Sequence, residues 1–554
     1  MTSGPPAAVP ALDREHCERL REAFRRSGYD LDGVPALLGE QAHAALGRDE
    51  PVPARLASRD AGPLGTLVRL LLLGDAEPAD AVARALDPLP VDDAVAAGLL
   101  RPDPAGAGLL AALDVRPYGD DAGSWWVVSD LDAARLGGQR VALAADHVLG
   151  VGQASLSLAV ATVRRPVRRL LDVGTGCGVQ ALHAARYADR VVATDVNPRA
   201  LALARATFAL SEVDIELRAG SWLEPVAGER FDQIVCNPPF VAGPPRVSHV
   251  YRDSGLAGDG VAARLVGELP GLLAEDGVAQ LLACWLHVRG QDWPDRVLSW
   301  LPAEVGLDAW FVQREVADPA LYVGTWLRDS GVDPGSPEGQ REAAEWLAWF
   351  AEVEVEGVGF GFVTLRRAPA GSALTVLCED LRDAPAGPLG PETGGWLDRV
   401  AWLRAHGTDE ALLAAALTVA PSVLLERSSV AGEDGWREVL ATVRRTDGPG
   451  WRHELDEPAA ALLAGCQGFL PLGELLALLA VAHGRDTDEL VAATLPAVRE
   501  LVRHGLLVPA GWTDGSGGAP TSGGAPALAG GPAVGGAPAV GGGPASGGGL
   551  AVGR

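Results

Sequence analysis

The hydrophobic pattern of residues 170–300 changes its period several times. Short runs of consecutive apolar residues, typical of buried strands, alternate with stretches in which apolar residues recur at helical spacing. The strand-like runs are 170–173, 191–195, 215–218, 231–236 and 278–285, and the helical stretches are 179–188, 198–210, 261–273 and 292–300. Because strands that alternate with helices form parallel sheets with right-handed crossovers, the pattern predicts an α/β domain in this part of the chain.

The chain before this domain has a different pattern. Apolar residues at helical spacing predict helices within 12–46, 63–73, 78–86 and 91–97. Two strand-like runs then flank a turn-forming stretch at 118–123, which predicts a β-hairpin. Helices followed by a hairpin resemble a winged-helix module. A similar order of helices before an apolar run recurs within 453–509.

Winged-helix modules often bind nucleic acid through basic residues. The candidate recognition helix of the N-terminal module instead carries Asp92 and Asp93. That charge pattern favours a packing or substrate-positioning role over a nucleic-acid interface. The formal net charge of -26 over 554 residues also opposes non-specific binding to DNA or RNA, although it is compatible with a local basic face.

Three short motifs in the α/β domain point to one nucleoside site. Gly174, Gly176 and Gly178 follow the first strand and open a helix, a turn that lets a ligand approach the backbone closely. Asp195 ends the next strand about twenty residues later, where a Rossmann-type unit holds ribose hydroxyls. The tetrad Asn237-Pro238-Pro239-Phe240 follows the strand 231–236, at the edge of a parallel sheet where ligands bind.

With these motifs the sequence resembles the class I S-adenosylmethionine-dependent methyltransferases. It is most similar to the branch that carries Asn-Pro-Pro-(Phe/Tyr), which includes the release factor glutamine methyltransferases and RNA or DNA amine methyltransferases. The resemblance covers residues 140–367. It implies a Rossmann-like, seven-stranded sheet that ends in an antiparallel pair at 307–314 and 358–365. It also implies S-adenosyl-L-methionine as the cofactor and a planar amide or exocyclic amine nitrogen as the methyl acceptor.

The same resemblance implies which residues serve the reaction. Asn237 and Pro238 offer two carbonyl oxygens for the two N–H bonds of an amide, while Phe240 can stack on a planar target. Ser221 stands where many relatives carry an acid for the adenine amine, which leaves Trp222 or backbone groups for that contact. The expected catalytic residues are Asn237, Pro238, Pro239 and Phe240. The expected cofactor-binding residues are Asp172, Gly174, Thr175, Gly176, Gly178, Asp195, Asn197, Ser221 and Trp222.

Other segments have two open interpretations each. Asp146 and His147 precede the first strand and either reach the site or serve the fold. The Pro/Gly-rich stretch 241–260 is either a disordered loop or, as its place beside the tetrad favours, a lid that grips the target. It contains Tyr251-Arg252-Asp253, and Asp259-Gly260 matches a segment of release factor glutamine methyltransferases. An aromatic group in the insertion before the last strand is either core or a substrate grip. Its members are Trp326, Trp346, Trp349 and Phe350.

The cysteine content and the N-terminal sequence indicate in which cellular compartment the protein is expected. Six cysteines without Cys-x-x-Cys spacing or a partner histidine cluster indicate neither a zinc site nor a disulfide framework, so we expect reduced thiols. The N-terminus has no basic region leading into an apolar run, and the apolar stretch 64–73 is shorter than the roughly 20 residues that a bilayer span needs. We therefore expect a cytoplasmic protein with no metal and no membrane partner.

The chain is expected to divide into five regions. These are a helical, winged-helix-like N-terminal domain at 1–140, the methyltransferase domain at 141–367, a small region without a recognised motif at 368–452, a winged-helix-like domain at 453–512 and a Gly/Ala/Pro tail at 513–554. The tail has a loose repeat and too few large apolar residues to form a core, so it is expected to be disordered.

Three functions fit these observations. The first is methylation of a glutamine amide in a protein substrate such as a translation factor, which suits an acidic enzyme. The alternative is methylation of adenine N6 or guanine N2 in RNA or DNA, with the flanking domains binding the nucleic acid. A third is a binding protein that keeps the nucleoside pocket without catalysis, which the intact Asn237-Pro238-Pro239-Phe240 tetrad disfavours.

Overall fold

The computed structural model separates into two compact units, the first made mainly of the chain up to Asp380 and the second mainly of the chain after it. Each unit is built around its own hydrophobic clusters. The structure describes residues 8–48, 50–106, 108–120, 122–131, 144–245, 255–303, 306–382, 388–432 and 435–512, with 527–528 and 549–550 in the tail.

Helices cover the first hundred residues of the first unit. They are α1 Arg14–Ser27, α2 Gly33–Leu46, α3 Pro51–Ser58, α4 Gly62–Leu67, α5 Ala79–Leu86 and α6 Val91–Ala96. Helix α1 begins at Asp13, whose carboxylate caps His16 N, and ends at Gly28 with φ of 73°. Its buried face carries Leu20 and Phe24, as the helical spacing predicts.

Short strands follow these helices. They are β1 Leu100–Pro102, β2 Leu109–Ala111, β3 Asp114–Asp120 and β4 Gly123–Ser129. An isolated bridge from Glu77 to Leu109 places one strand residue before α5, so the order is strand, two helices and a two-stranded wing. The wing of this order is the β1–β2 pair, whereas the sequence suggested a wing at the later hairpin, so the winged-helix character of the region stays a prediction. The β3–β4 hairpin was also predicted, but β3 runs to Asp120, so Tyr118 pairs with Trp125 instead of belonging to the turn.

The rest of the first unit is a large mixed sheet with helices on both faces. Its strands are β5 Val167–Val173, β6 Ala188–Asp195, β7 Glu216–Ala219, β8 Phe231–Cys236, β9 Leu273–Val288, β10 Leu307–Ala317, β11 Val355–Arg367 and β12 Thr375–Asp380. Its helices are α7 Gln153–Ala161, α8 Val179–Ala184, α9 Pro198–Leu210, α10 Gly260–Glu268, α11 Trp293–Leu298, α12 Pro319–Asp329 and α13 Pro337–Glu352.

The strand order of this sheet is β7-β6-β5-β8-β9-β11-β10-β12. The five strands β7, β6, β5, β8 and β9 are mutually parallel. Strand β11 lies between β9 and β10 and is antiparallel to both, which confirms the predicted antiparallel pair at the end of the sheet. The seven-stranded prediction omitted β12, which pairs in parallel with β10 from Asp308 to Gln313. Strand β12 is short, half-exposed and at the sheet edge, so its hydrophobic pattern is weak.

Apolar side chains of the central strands alternate between the two faces of the sheet. Leu170 joins the hydrophobic cluster that contains the N-terminal helices, and Leu171 joins the cluster that contains α10. Burial on both faces explains why these strands are continuous apolar runs in the sequence. Helix α1 packs on α9, where Arg21 Nη1 donates to Ala209 O at 2.7 Å. The N-terminal helices and the sheet therefore share one core.

Helices α12 and α13 form the insertion between β10 and β11. Trp346 and Phe350 are buried around Tyr322, whose ring lies 6.2 Å from Trp346 and 5.8 Å from Phe350. These two aromatic residues belong to a hydrophobic core, as one of the two open interpretations held. Trp326 and Trp349 are partly buried against the same cluster.

The second unit contains both helices and strands. Its elements are α14 Leu389–Ala405, α15 Asp409–Leu413, β13 Ala416–Val419, β14 Val423–Gly432, β15 Gly435–Arg445, β16 Arg452–Leu455, α16 Glu457–Gly465, β17 Gln467–Pro471, α17 Leu472–His483, α18 Thr487–Arg503 and β18 Leu507–Pro509. Strands β14, β15 and β16 form an antiparallel sheet, and β17 and β18 flank β13 in a second one. The region 368–452, in which the sequence showed no motif, thus contains regular structure.

The predicted disorder of the tail concerns residues that lie mostly outside the described part of the chain. Only β19 Ala527–Leu528 and β20 Gly549–Leu550 are described there, as two-residue strands. Among the described residues, the helices are all too short or too polar to cross a membrane.

Candidate active site

The turn between β5 and α8 is shaped by its glycines. Gly174, Gly176 and Gly178 have φ values of 71°, 55° and 93°, which side chains with a Cβ rarely adopt. A Cβ on Gly178 would lie 2.5 Å from the Phe208 ring, whereas a Cβ on Gly174 or Gly176 would meet no atom within 4 Å. The first two glycines therefore leave the backbone open to a neighbouring cavity, and the third allows close packing.

Asp195, at the end of β6, is tied to this turn. Its Oδ2 accepts from Gly176 N at 2.9 Å and its Oδ1 accepts from Asn197 N at 2.8 Å. Burial raises the pKa of Asp195, and the hydrogen bonds from Asn197 and Gly176 oppose that shift. Two backbone amides thus hold the carboxylate at the carboxyl end of β6, where the sequence predicted a ribose site.

Asp172, in β5, is the second carboxyl group at this edge. Its Oδ2 accepts from Thr175 Oγ1 at 2.6 Å. Burial raises the pKa of Asp172 to about 7, and the charge of Asp195 adds to the shift. Asp172 can therefore change its charge near neutral pH, according to what binds beside it.

Asn197 uses its side chain within the protein. Its Oδ1 caps α9 by accepting from Arg199 N at 2.9 Å, and its Nδ2 donates to Asp146 O at 2.8 Å. The second bond anchors the segment before α7, in which His147 is buried with Nδ1 3.8 Å from Asp130 Oδ2. Asn197 and His147 both contribute to the cavity wall, and the Asn197 side chain also links α9 to the segment before α7.

Asn237 directly follows β8, at the same carboxyl end of the parallel strands as Asp195. Asn237 is half-buried, and its Nδ2 points to Ser155 Oγ of α7 at 3.5 Å. Ser155 is itself held in place, because its backbone carbonyl accepts from Gln180 Nε2 at 2.8 Å. Helices α7 and α8 thus orient the carboxamide, with Pro238 and Pro239 stiffening the turn behind it.

A cavity of about 430 Å³ connects these groups. This volume lies within the roughly 300–1,000 Å³ of small-molecule sites. Of the residues expected to serve the reaction, the following line the cavity: Asp172, Gly174, Thr175, Gly176, Asp195, Asn197, Ser221, Trp222, Asn237, Pro238 and Pro239. Gly178 and Phe240 are described by the structure but are not part of its wall.

Phe240 is half-buried and packs against two hydrophobic clusters behind the cavity. Its ring makes edge contacts with Trp326 and Phe360, at centroid distances of 6.1 and 6.5 Å. Its carbonyl oxygen accepts from Cys284 Sγ at 2.7 Å. These contacts tie the Asn-Pro-Pro turn to β11 and to the insertion, and stacking of the ring on an acceptor stays a prediction.

The expected adenine end of the cavity is formed after β7. Ser221 and Trp222 both line it, and Gly220 N donates to Asp195 O at 3.0 Å. Trp222 has a φ of 49°, and the Arg264 guanidinium lies 5.4 Å from its ring centroid. This arrangement provides an aromatic side chain and a hydroxyl where many relatives use an acid.

The proposed lid is only partly described. Tyr251, Arg252 and Asp253 lie outside the described residues. Asp259 is buried, accepts from Leu286 N at 2.9 Å and forms an ion pair with Arg296 at 2.6 Å. Asp259 thus fixes the end of the stretch 241–260 to β9 and α11.

Asp114, Arg116 and Asp329 line the cavity without having been expected from the sequence. Asp114 and Arg116 belong to β3 of the N-terminal hairpin, are 2% and 7% exposed, and form an ion pair of 2.6 Å between Arg116 Nε and Asp114 Oδ2. The available signal was weak: Asp114 and Arg116 are two opposite charges at alternate positions of β3, which places them on one face of the strand, and buried charges are rare unless paired. The N-terminal domain therefore contributes directly to the cavity wall.

Family models match three parts of the chain. Residues 150–253 match the model described as Methyltransferase small domain. Residues 26–112 and 394–509 match two models that are each described as a domain of unknown function. The matched methyltransferase segment contains the glycine turn, Asp195 and Asn237.

Curated relatives match only a limited part of the chain. A release factor glutamine methyltransferase of Deinococcus radiodurans is 40% identical over 138 residues, which are 23% of this chain and 49% of the relative. That of Bordetella pertussis is 32% identical over 178 residues, 29% of this chain and 62% of the relative. A ribosomal RNA small subunit methyltransferase C of Erwinia tasmaniensis is 38% identical over 77 residues, 14% of this chain and 22% of the relative. The chain thus spans less than two thirds of each of these relatives.

The matched segment, its sheet topology and its cavity define an S-adenosylmethionine-dependent methyltransferase domain. The domain is related to the release factor glutamine methyltransferases. The cavity fits the cofactor of this class, because open glycine backbone at Gly174 and Gly176 lies beside the Asp195 carboxylate.

Proposed function

We propose that the protein is an N-methyltransferase that transfers a methyl group from S-adenosylmethionine to the side-chain amide of a protein glutamine. The observation that carries this proposal is the shared cavity. It joins Asp195 and the glycine turn to Asn237 and Pro238 at neighbouring strand ends. A cofactor site and a site for a planar nitrogen thus open into the same space.

The glycine turn and the strand ends would hold the cofactor. Asp195 is placed to accept from ribose hydroxyls, and the backbone at Gly174 and Gly176 is open to the amino-acid part. Ser221 and Trp222, which also line the cavity, would contact the adenine ring. When bound, S-adenosylmethionine supplies an electrophilic methyl group on a sulfonium.

Asn237 and Pro238 would orient the acceptor. The lone pair of an amide nitrogen is delocalised, so the nitrogen reacts only when it is held in the right direction. The contact of Asn237 Nδ2 with Ser155 leaves Oδ1 to accept one amide N–H, and the Pro238 carbonyl can accept the other. These two bonds would turn the lone pair toward the methyl group, and the proton can leave to water afterwards.

Two observations favour a protein acceptor. Matched relatives are named release factor glutamine methyltransferases, and a net charge of -26 suits a protein better than a polyanion. The second candidate is an exocyclic amine of RNA, supported by the match to the ribosomal RNA methyltransferase. The acidic residues Asp92 and Asp93 of α6 oppose that candidate at the N-terminal module.

The acceptor class can be tested with methyl-labelled S-adenosylmethionine. The full chain is incubated with purified bacterial release factors in one arm and with ribosomal RNA in the other, and label is counted after protease or nuclease digestion. We expect the label on a glutamine of the release factor, so that protease digestion releases it and nuclease digestion does not. Label that only nuclease solubilises would establish the RNA alternative. Gln340→Ala, which removes an exposed carboxamide of α13, should behave as the unmodified protein does.

A further inference from the structure

The second unit contains a histidine and carboxylate cluster that the methyl-transfer site does not use. His453 lies in β16, and Glu500 and His504 lie one helical turn apart at the C-terminal end of α18. Both histidines are buried and Glu500 is half-buried. One ligand atom from each of the three residues lies within 4.8 Å of the other two. The sequence spacing hid this cluster, because Glu500 and His504 follow His453 by 47 and 51 positions in the chain.

The two imidazole rings face each other closely. His453 Nε2 and His504 Nδ1 are 2.9 Å apart, and the His504 ring stacks on Trp451 with a centroid distance of 4.5 Å and an interplanar angle of 11°. Two nitrogens that bind one tetrahedral zinc ion at about 2.05 Å lie about 3.3 Å apart. Opening the pair by about 0.4 Å would therefore admit the ion, and Trp451 would keep the His504 plane fixed.

The charges around the cluster permit a cation. Arg445 is the neighbouring guanidinium, and its Nη1 donates to the His504 carbonyl oxygen at 3.1 Å. It pairs with Asp447 at 2.7 Å and with Glu392 at 2.8 Å. Arg399, which donates to the Arg503 carbonyl oxygen, also pairs with Glu392, so two guanidinium groups are balanced by two carboxylates. Glu500 supplies a carboxylate oxygen within 4.8 Å of both histidine ligand atoms. Carboxylate oxygens bind zinc together with imidazole nitrogens.

We propose that His453, Glu500 and His504 form a binding site for a divalent first-row transition metal ion, with zinc as the best fit. Two nitrogens and one carboxylate oxygen leave a fourth position for water, and this donor set suits zinc better than magnesium or calcium. One of the two facing nitrogens, His453 Nε2 or His504 Nδ1, carries the proton of their hydrogen bond. When the metal ion binds both facing nitrogens, that proton moves to the other nitrogen of the same ring, so the histidine pair releases no net proton. The ion joins β16 to α18 and stabilises the second unit.

The site is tested on the full chain after chelator treatment and dialysis. Zinc is titrated against a coloured chelator, the bound metal is counted by mass spectrometry, and Co²⁺ is added separately to record its visible absorption. The variants are His453→Ala, Glu500→Gln and His504→Ala. The matched control is His483→Ala, which removes an exposed histidine at the end of α17.

We expect one zinc ion per chain in the unmodified protein and in the control, and an intense Co²⁺ spectrum typical of four- or five-coordination. Loss of either buried histidine should abolish the site, and Glu500→Gln should weaken zinc binding by about 10-fold or more. Glu500→Gln keeps the shape of a half-buried side chain, so it decides the question even if a histidine variant does not fold. Equal zinc binding by Glu500→Gln and the unmodified protein, or binding of less than one ion per chain, would overturn the proposal.

Discussion

Asp195 Oδ2 accepts a hydrogen bond from Gly176 N at 2.9 Å, which joins the end of β6 to the turn after β5. One carboxylate thus shapes the glycine turn and lines the cavity. Replacing Asp195 by Ala should weaken cofactor binding by about 1.5–3 kcal/mol, the typical contribution of hydrogen bonds to a charged group. Titration calorimetry with S-adenosylmethionine measures the effect. Asp189→Ala, an exposed acid on the same strand, is the control, and an affinity loss equal to that of the control would contradict the role of Asp195.

The buried ion pair of β3 gives a second prediction. Arg116→Met keeps an unbranched side chain but removes the partner of Asp114 at 2.6 Å. Breaking a buried pair costs about 3–5 kcal/mol, and both residues line the cavity, so we expect a lower melting temperature and weaker cofactor binding. The control is Arg101→Met, an exposed position on β1. An unchanged melting temperature would show that the pair does not support the first unit.

Asp172 gives a prediction about pH. Its pKa is raised to about 7 in the folded protein from 3.8, because burial favours the protonated carboxyl. The stability that this group contributes is therefore fully present below pH 3.8 and is lost as the pH rises through 7. We expect the melting temperature of the cofactor-free protein to fall between pH 5 and pH 8 by more than that of Asp172→Asn. The difference between the two pH series isolates Asp172 from other groups. Parallel series would mean that Asp172 is ionised at all these pH values.

The position of Phe240 separates two roles for its ring. If the ring anchors the turn through Trp326 and Phe360, Phe240→Leu fills most of the same space and should keep methyl transfer within about 3-fold. Phe240→Ala should instead lower the melting temperature, by the roughly 3–5 kcal/mol of a large cavity at full burial and by less at this half-buried position. Steady-state rates and thermal melting distinguish these outcomes. A rate loss of 100-fold in Phe240→Leu, with normal stability, would support stacking of the ring on the acceptor.

Much of the fold could be predicted from the hydrophobic pattern. Leu170 and Leu171 belong to a strand that is covered on both faces, and such strands give the strongest signal in a sequence. The edge strand β12 was missed because its residues are half-exposed and it has no periodic pattern of its own. Tyr118 was placed in a turn because Gly119 and the acids after it are turn-forming residues, but pairing with β4 overrode that preference.

The site could be predicted only where a local motif encodes it. The glycine turn and Asp195 lie within a single strand, turn, helix and strand unit, so their spacing is visible in the sequence. Arg116 comes from β3, far from the motifs in sequence, and reaches the cavity because β3 pairs with β4 and β4 packs on α9. His453 and His504 likewise meet through tertiary packing. The spacing of residues along the sequence does not reveal such contacts between distant parts of the chain.

The central claim is that Asn237 orients a planar nitrogen beside a bound cofactor. The direct measurement is transfer of labelled methyl groups to release factor by Asn237→Ala, together with the S-adenosylmethionine affinity of the same variant. The account predicts that transfer is lost while the affinity stays within about 3-fold of the unmodified protein, because Asn237 contacts the acceptor in the proposed mechanism. Methyl transfer by Asn237→Ala at the rate of the Gln340→Ala control would contradict it.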